Sequence, residues 1–173
     1  MVKKIIIDTD PGVDDSLAIF VALNSPELDV LGLTTVFGNA TTSTCTENAL
    51  RLLEIAKRTD IPVAEGAHLP LNGNLRGAAS FVHGENGQGN VELKAPTNKT
   101  LEIDAVAFLK NQIEVHPNEI TLVPVGPLTN IANLLTTHPG IDSKIKEIIL
   151  MGGNAQSPGN ATPTAEANIL NDP

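Results

Sequence analysis

The sequence contains no tryptophan, no tyrosine and only four phenylalanines in 173 residues. Single-stranded nucleic acids are held largely by stacking on aromatic rings, so that class of function has no footing here. There is one cysteine, which excludes an internal disulfide. Cys45 lies within a helical pattern and reads as a small buried residue rather than a reactive thiol. Basic residues are scarce: 11 Lys and Arg stand against 20 Asp and Glu, a net charge of -9. Phosphate binding depends on Lys and Arg, so nucleic acid is excluded as the main partner, whereas a metal or a cationic ligand fits. No apolar run approaches the eighteen or so residues of a spanning helix, so no membrane partner is expected. The short run at residues 5–7 is closed by Asp8 and Asp10, too early for a signal peptide. A cytoplasmic protein is the expectation.

What is present is an ordinary globular composition, 41% hydrophobic with 14 glycines. Short β-branched runs alternate with helical patterns. Strands are expected at 4–7, 28–36, 61–64, 120–125 and 145–151. Helices are expected at 14–23, 44–57, 103–115 and 128–135. The first helix would carry Leu17, Phe20 and Val21 on one face, and the second Ala49, Leu50, Leu53 and Ala56. This alternation predicts one α/β domain over residues 1–173, an open, mostly parallel, Rossmann-like sheet with helices on both faces. Residues 66–99 and 154–173 are rich in Gly, Asn, His, Pro and Thr and are expected to be long functional loops.

Ligands of such sheets bind beyond the carboxyl ends of the strands. After the first strand comes Asp8-Thr9-Asp10-Pro11-Gly12-Val13-Asp14-Asp15, with four carboxylates in eight residues. Asp14 and Asp15 could simply sit at a helix N-terminus, where acidic side chains are favoured. Asp8 and Asp10 need another reason, and a hard cation with oxygen ligands accounts for all four. The loop is not an EF-hand, because its twelfth position is Ile19. Phe37-Gly38-Asn39 follows the second strand as a tight turn that can present an amide. Val125-Gly126-Pro127-Leu128-Thr129-Asn130 follows the fourth, either as a plain helix entry or with the Val125 carbonyl free to coordinate an ion. After the fifth come Met151-Gly152-Gly153, Asn160, Glu166 and Asn168, residue types that hydrogen-bond sugar hydroxyls. His83, in the middle loop, reads as a surface histidine.

Together these motifs resemble the inosine-uridine preferring nucleoside hydrolases, and the block from Asp8 to Asp15 is the most specific of them. The resemblance spans the whole sequence but only about the first half of a family member. It implies hydrolysis of the N-glycosidic bond of ribonucleosides to ribose and free base, with bound Ca²⁺. Asp10 then resembles the general base and a metal ligand. Asp15 resembles a bidentate ligand, and Val125 a ligand through its carbonyl. Asp14, Asn160, Glu166 and Asn168 resemble the ribose-binding set, with Met151 close by. Asn39 and His83 match positions lining the pocket, and Asp8 one lying behind the ligands. The resemblance further implies a small-molecule nucleoside as partner and a homo-oligomer, dimer or tetramer, for a complete member. Members usually carry an aromatic at the positions of Ala167 and Leu170, which this sequence lacks. The second half of a member supplies the last Ca²⁺ ligand and an acid for the departing base, so residues 1–173 alone are expected to be weakly active. Two other readings stay open. One is a haloacid dehalogenase-type phosphatase with Asp8 as nucleophile and Asp10 as acid/base. The other is an inactive, Ca²⁺-dependent ribose- or nucleoside-binding fragment.

Overall fold

A computed structural model describes residues 2–173. Five strands form one parallel sheet in the order β3-β2-β1-β4-β5. They are β1 (Lys3–Thr9), β2 (Leu28–Thr35), β3 (Val63–Glu65), β4 (Ile120–Pro124) and β5 (Glu147–Ile148). The helices are α1 (Val13–Leu23), α2 (Thr42–Ile55), α3 (Ser80–His83), α4 (Ala105–Val115), α5 (Thr129–Thr137) and α6 (Ala167–Asn171).

The central strand shows why the sheet must be covered on both sides. Ile5, Ile6 and Ile7 are all buried, and successive strand side chains point to opposite faces. Ile5 and Ile7 join Ile19 of α1 and Leu50 and Leu53 of α2 in one core. Ile6 joins Phe108 and Leu109 of α4 and Ile131 and Leu134 of α5 in the other. The expected doubly covered α/β sheet is thus the observed one. Thr41 caps α2 by accepting from the Thr44 amide at 3.3 Å, and Asp104 caps α4 by accepting from Ala107 at 2.8 Å.

Three expectations need correction. Leu17 and Val21 do not face the core: they are 64% and 67% exposed, while Asp15, Ser16, Ile19 and Ala22 turn inward. The helix is rotated so that its first turn can deliver Asp15 and Ser16 to polar partners. Val21 instead borders a groove of about 400 Å³ beside Ile5, Ile7, Val123, Val125 and Ile149. The fifth strand is shorter than expected, although Ile149 and Met151 still donate to Leu122 and Pro124 at 2.9 Å each. The two supposed loops contain the short helices α3 and α6. No helix among the described residues is long and apolar enough to cross a membrane.

The inward and outward sets should separate cleanly in urea unfolding. Leu109→Ala, at a fully buried site, is expected to cost about 2–5 kcal/mol. Val21→Ser should stay within about 0.5 kcal/mol.

Candidate active site

The strand order reverses direction at β1, which lies between β2 and β4. A doubly wound sheet opens a crevice at such a switch point, at the carboxyl ends of its strands. Asp10 sits there, 2% exposed. Its carboxylate is cradled by two glycines. A Cβ on Gly38 would overlap Asp10 Oδ2, and one on Gly126 would come within 2.8 Å of Oδ1. Asp10 Oδ2 accepts from the Asn39 amide at 2.8 Å. Asp10 Oδ1 is buried with no partner. A buried carboxylate oxygen without a donor demands explanation, and a cation is the simplest one.

Asp15 stands next to it. Its Oδ1 accepts from Thr9 Oγ1 at 2.8 Å, and its Oδ2 from the Gly12 amide at 3.1 Å and Asn39 Nδ2 at 2.9 Å. Asn39 therefore binds both acids, and also the Asp10 carbonyl at 3.1 Å. The Val125 carbonyl accepts from Asn168 Nδ2 at 2.7 Å. Among the described residues no three His, Cys, Asp or Glu side chains converge as a ready metal cage. The oxygens of Asp10, Asp15 and Val125 fit a hard cation in kind, and Asp10 Oδ1 is free to take one.

Asp8 lies behind them, 1% exposed. Its Oδ1 accepts from Thr34 Oγ1 at 2.5 Å and Asn130 Nδ2 at 2.7 Å, while Oδ2 has no partner. Burial pushes the Asp8 carboxyl up to about 6. Burial, and then the nearby charge of Asp15, raises Asp10 well above the ordinary carboxylate range. Burial raises Asp15 as well, against the donors Thr9 and Gly12.

A cavity of about 740 Å³ adjoins this cluster. Asp14, Asn39, His83, Asn160 and Asn168, which the resemblance assigned to substrate binding, line it. Val13, Leu17, Arg76, Phe81, Val82, Ala167 and Leu170 complete much of the wall. His83 is not a surface residue: it is 8% exposed, and its Nδ1 accepts from the Val13 amide at 3.3 Å. Glu166 and Met151 are not on the cavity wall, nor are Asp10, Asp15 and Val125, which meet it through Asn39 and Asn168. Glu166 caps α6, accepting from the amides of Asn168, Ile169 and Gly153 at 2.9, 3.1 and 3.0 Å. Met151 contributes its carbonyl and Sδ to Asn168 Nδ2. Sequence reasoning missed Thr34, Asn130 and Asp172, all buried polar residues. Asn130 carried a signal, a polar residue on the inward face of a helix.

The fold and this crevice define a nucleoside hydrolase architecture, and the comparisons agree. The family model of inosine-uridine preferring nucleoside hydrolases matches residues 5–173, and the chain belongs to that family. It is 51% identical over 171 residues to uridine nucleosidase 1 of Arabidopsis thaliana, covering 99% of this chain and 51% of that protein. It is 47% identical over 173 residues to a pyrimidine-specific ribonucleoside hydrolase of Shewanella sp. (strain MR-7), covering 100% and 54%. A solved plant nucleoside hydrolase superposes with a TM-score of 0.97 at 49% identity, covering 100% of this chain and 55% of that one. The chain spans about half the length of these relatives.

Two measurements test the cluster. In chelator, stability should fall as pH rises from about 4 to about 6. An unfolded Asp8 ionises near 3.8 and the folded one near 6, so in that window the folded state holds more protons. The loss is complete above about pH 6 and is on the order of 3 kcal/mol for Asp8. Subtracting the Asp8→Asn thermal unfolding curve isolates it; a pH-independent difference would contradict the assignment. Separately, Gly126→Ala should weaken binding of a divalent cation at Asp10 by about tenfold or more in calorimetry, because its methyl presses on Asp10 Oδ1.

Proposed function

We propose that the protein hydrolyses the N-glycosidic bond of a ribonucleoside, with Asp10 as general base and a divalent cation, Ca²⁺ by preference, at Asp10, Asp15 and the Val125 carbonyl. The observation that carries this reading is the unpartnered Asp10 Oδ1, held between Gly38 and Gly126 at the switch point. Pyrimidine nucleosides are the proposed substrates, since the similar proteins from Arabidopsis thaliana and Shewanella are named for uridine and for pyrimidine specificity.

In this mechanism Asp10 accepts at Oδ1 the proton of the water that attacks C1′. As the base departs, the ribose gains oxocarbenium character, and the carboxylates of Asp10, Asp14 and Asp15 favour that positive charge. Asn160 and Asn168 line the cavity with amides suited to ribose hydroxyls, and Glu166 acts from behind by capping the helix that carries Asn168. His83 is held by Val13 against the same cavity and contacts the substrate. A cation held by Asp10, Asp15 and the Val125 carbonyl would supply positive charge that offsets the buried carboxylates and would polarise a water beside them.

Turnover by residues 1–173 should be low, since these groups supply only part of the six to eight oxygens Ca²⁺ takes. Calorimetry should show Ca²⁺-dependent uridine binding. Asp10→Asn keeps the side-chain size but removes the base, so at saturating Ca²⁺ and uridine it should cut uracil release about 10²–10⁴-fold, a loss in kcat rather than in KM. A KM that rises at constant kcat would remove Asp10 from the role of base.

A further inference from the structure

The first turn of α5 holds two buried polar residues, Thr129 and Asn130, of which only Asn130 also serves the acid cluster, through Asp8. Thr129 is 1% exposed, and its Oγ1 donates to the Asp172 carboxylate at 2.5 Å. Asp172, 7% exposed, also accepts from the Leu71 amide, with 3.1 Å to each oxygen. Next to Thr129, Asn130 Oδ1 accepts from the Ala67 amide at 2.9 Å. The irregular segment after β3 is therefore pinned at Ala67 and at Leu71 by one helix turn and one carboxylate.

That segment leads into α3 and to one part of the cavity wall. The lining divides by chemistry. Asn39, Asn160 and Asn168 offer amides that suit hydroxyl groups, whereas Ala78, Ala79, Phe81 and Val82 offer an apolar surface that suits a flat heterocycle. Asp172 ends α6, the helix that carries Asn168. A single carboxylate thus joins the hydroxyl side of the cavity to the chain that leads to its apolar side. Charge-assisted bonds of this kind are the strong ones, and deleting one partner leaves a buried donor unsatisfied.

We propose that Asp172 and Thr129 are positioning residues that hold segment 66–79, and through it the apolar wall, so that they set affinity for the base of a nucleoside and not for its ribose. The proposal rests on the nucleoside reading above, and its test separates the two.

The 173-residue chain in saturating Ca²⁺ is titrated with uridine and with ribose, and the exchange rate of the Leu71 amide is followed by NMR. Asp172→Ala and Thr129→Val should weaken uridine binding about tenfold or more, leaving ribose and Ca²⁺ affinity within about twofold. Thr129→Ser keeps the hydroxyl and should remain within about twofold of the parent for uridine. Leu71 exchange should accelerate about tenfold or more in Asp172→Ala. Equal losses for ribose and uridine, or an unchanged Leu71 exchange rate, would overturn the proposal. A parent chain that binds neither probe, with Leu71 still released in Asp172→Ala, would overturn the nucleoside reading and the base-affinity role with it, leaving only a structural latch.

Discussion

Three carboxylates are buried within eight residues at the carboxyl end of β1, and no Lys or Arg offsets them among the ion pairs of the described residues. Burying like charges is costly, so the surroundings must supply donors. They do: Thr9, Thr34, Asn39, Asn130 and the Gly12 amide all turn toward this cluster. Those donors come from β1 and the loop after it, from β2 and the loop after it, and from the first turn of α5. The need to place them fixes the rotation of α1, the tight turn at Gly38 and the helix entry at Gly126. Two oxygens remain without donors, Asp8 Oδ2 and Asp10 Oδ1. The protein has been built around a local excess of negative charge that its own side chains do not cancel.

Much of the architecture was legible because it is periodic. Triple isoleucine in β1 marks a strand buried on both faces, and the alternation of runs gives a parallel sheet. The face of α1 was not legible from apolar spacing. Counting hydrophobic residues puts Leu17 and Val21 inside, whereas the helix turns Asp15 and Ser16 inward and accepts exposed apolar side chains as the consequence. The helices α3 and α6 span four and five residues, too few for any period to emerge.

The site was legible where residues cluster along the chain and obscure where they do not. Asp8 to Asp15 announces itself. The partners of Asp8 lie 26 and 122 positions away, and no spacing rule joins Asp8 to Thr34 or Asn130. Asp172 meets Leu71 across 101 positions. Glu166 was legible as an important residue but not for its place, since a carboxylate that caps a helix and one that grips a sugar look alike in sequence. The resemblance placed His83 at the pocket, but the residues alone suggested a surface histidine, because an isolated histidine in a glycine-rich stretch gives no sign of burial; only the fold brings Val13 to it.

The position of β1 between β2 and β4 has a temporal side. β1 ends at Thr9 and finds β2 at Leu28, but its other edge pairs with β4, which begins at Ile120. On a ribosome adding about 5–20 residues per second, β4 follows roughly ten seconds behind β1. Until it arrives, the crevice has one wall, Asp8 lacks Asn130, and Gly126 has not closed on Asp10. Pairings so distant in sequence also form slowly once both partners exist. The crevice around Asp10 is therefore assembled only after β4 has paired, and an early ligand has no cradle to nucleate. Occupancy of this crevice would mark chains in which β4 has already paired with β1, because β1 and β2 alone cannot reproduce it.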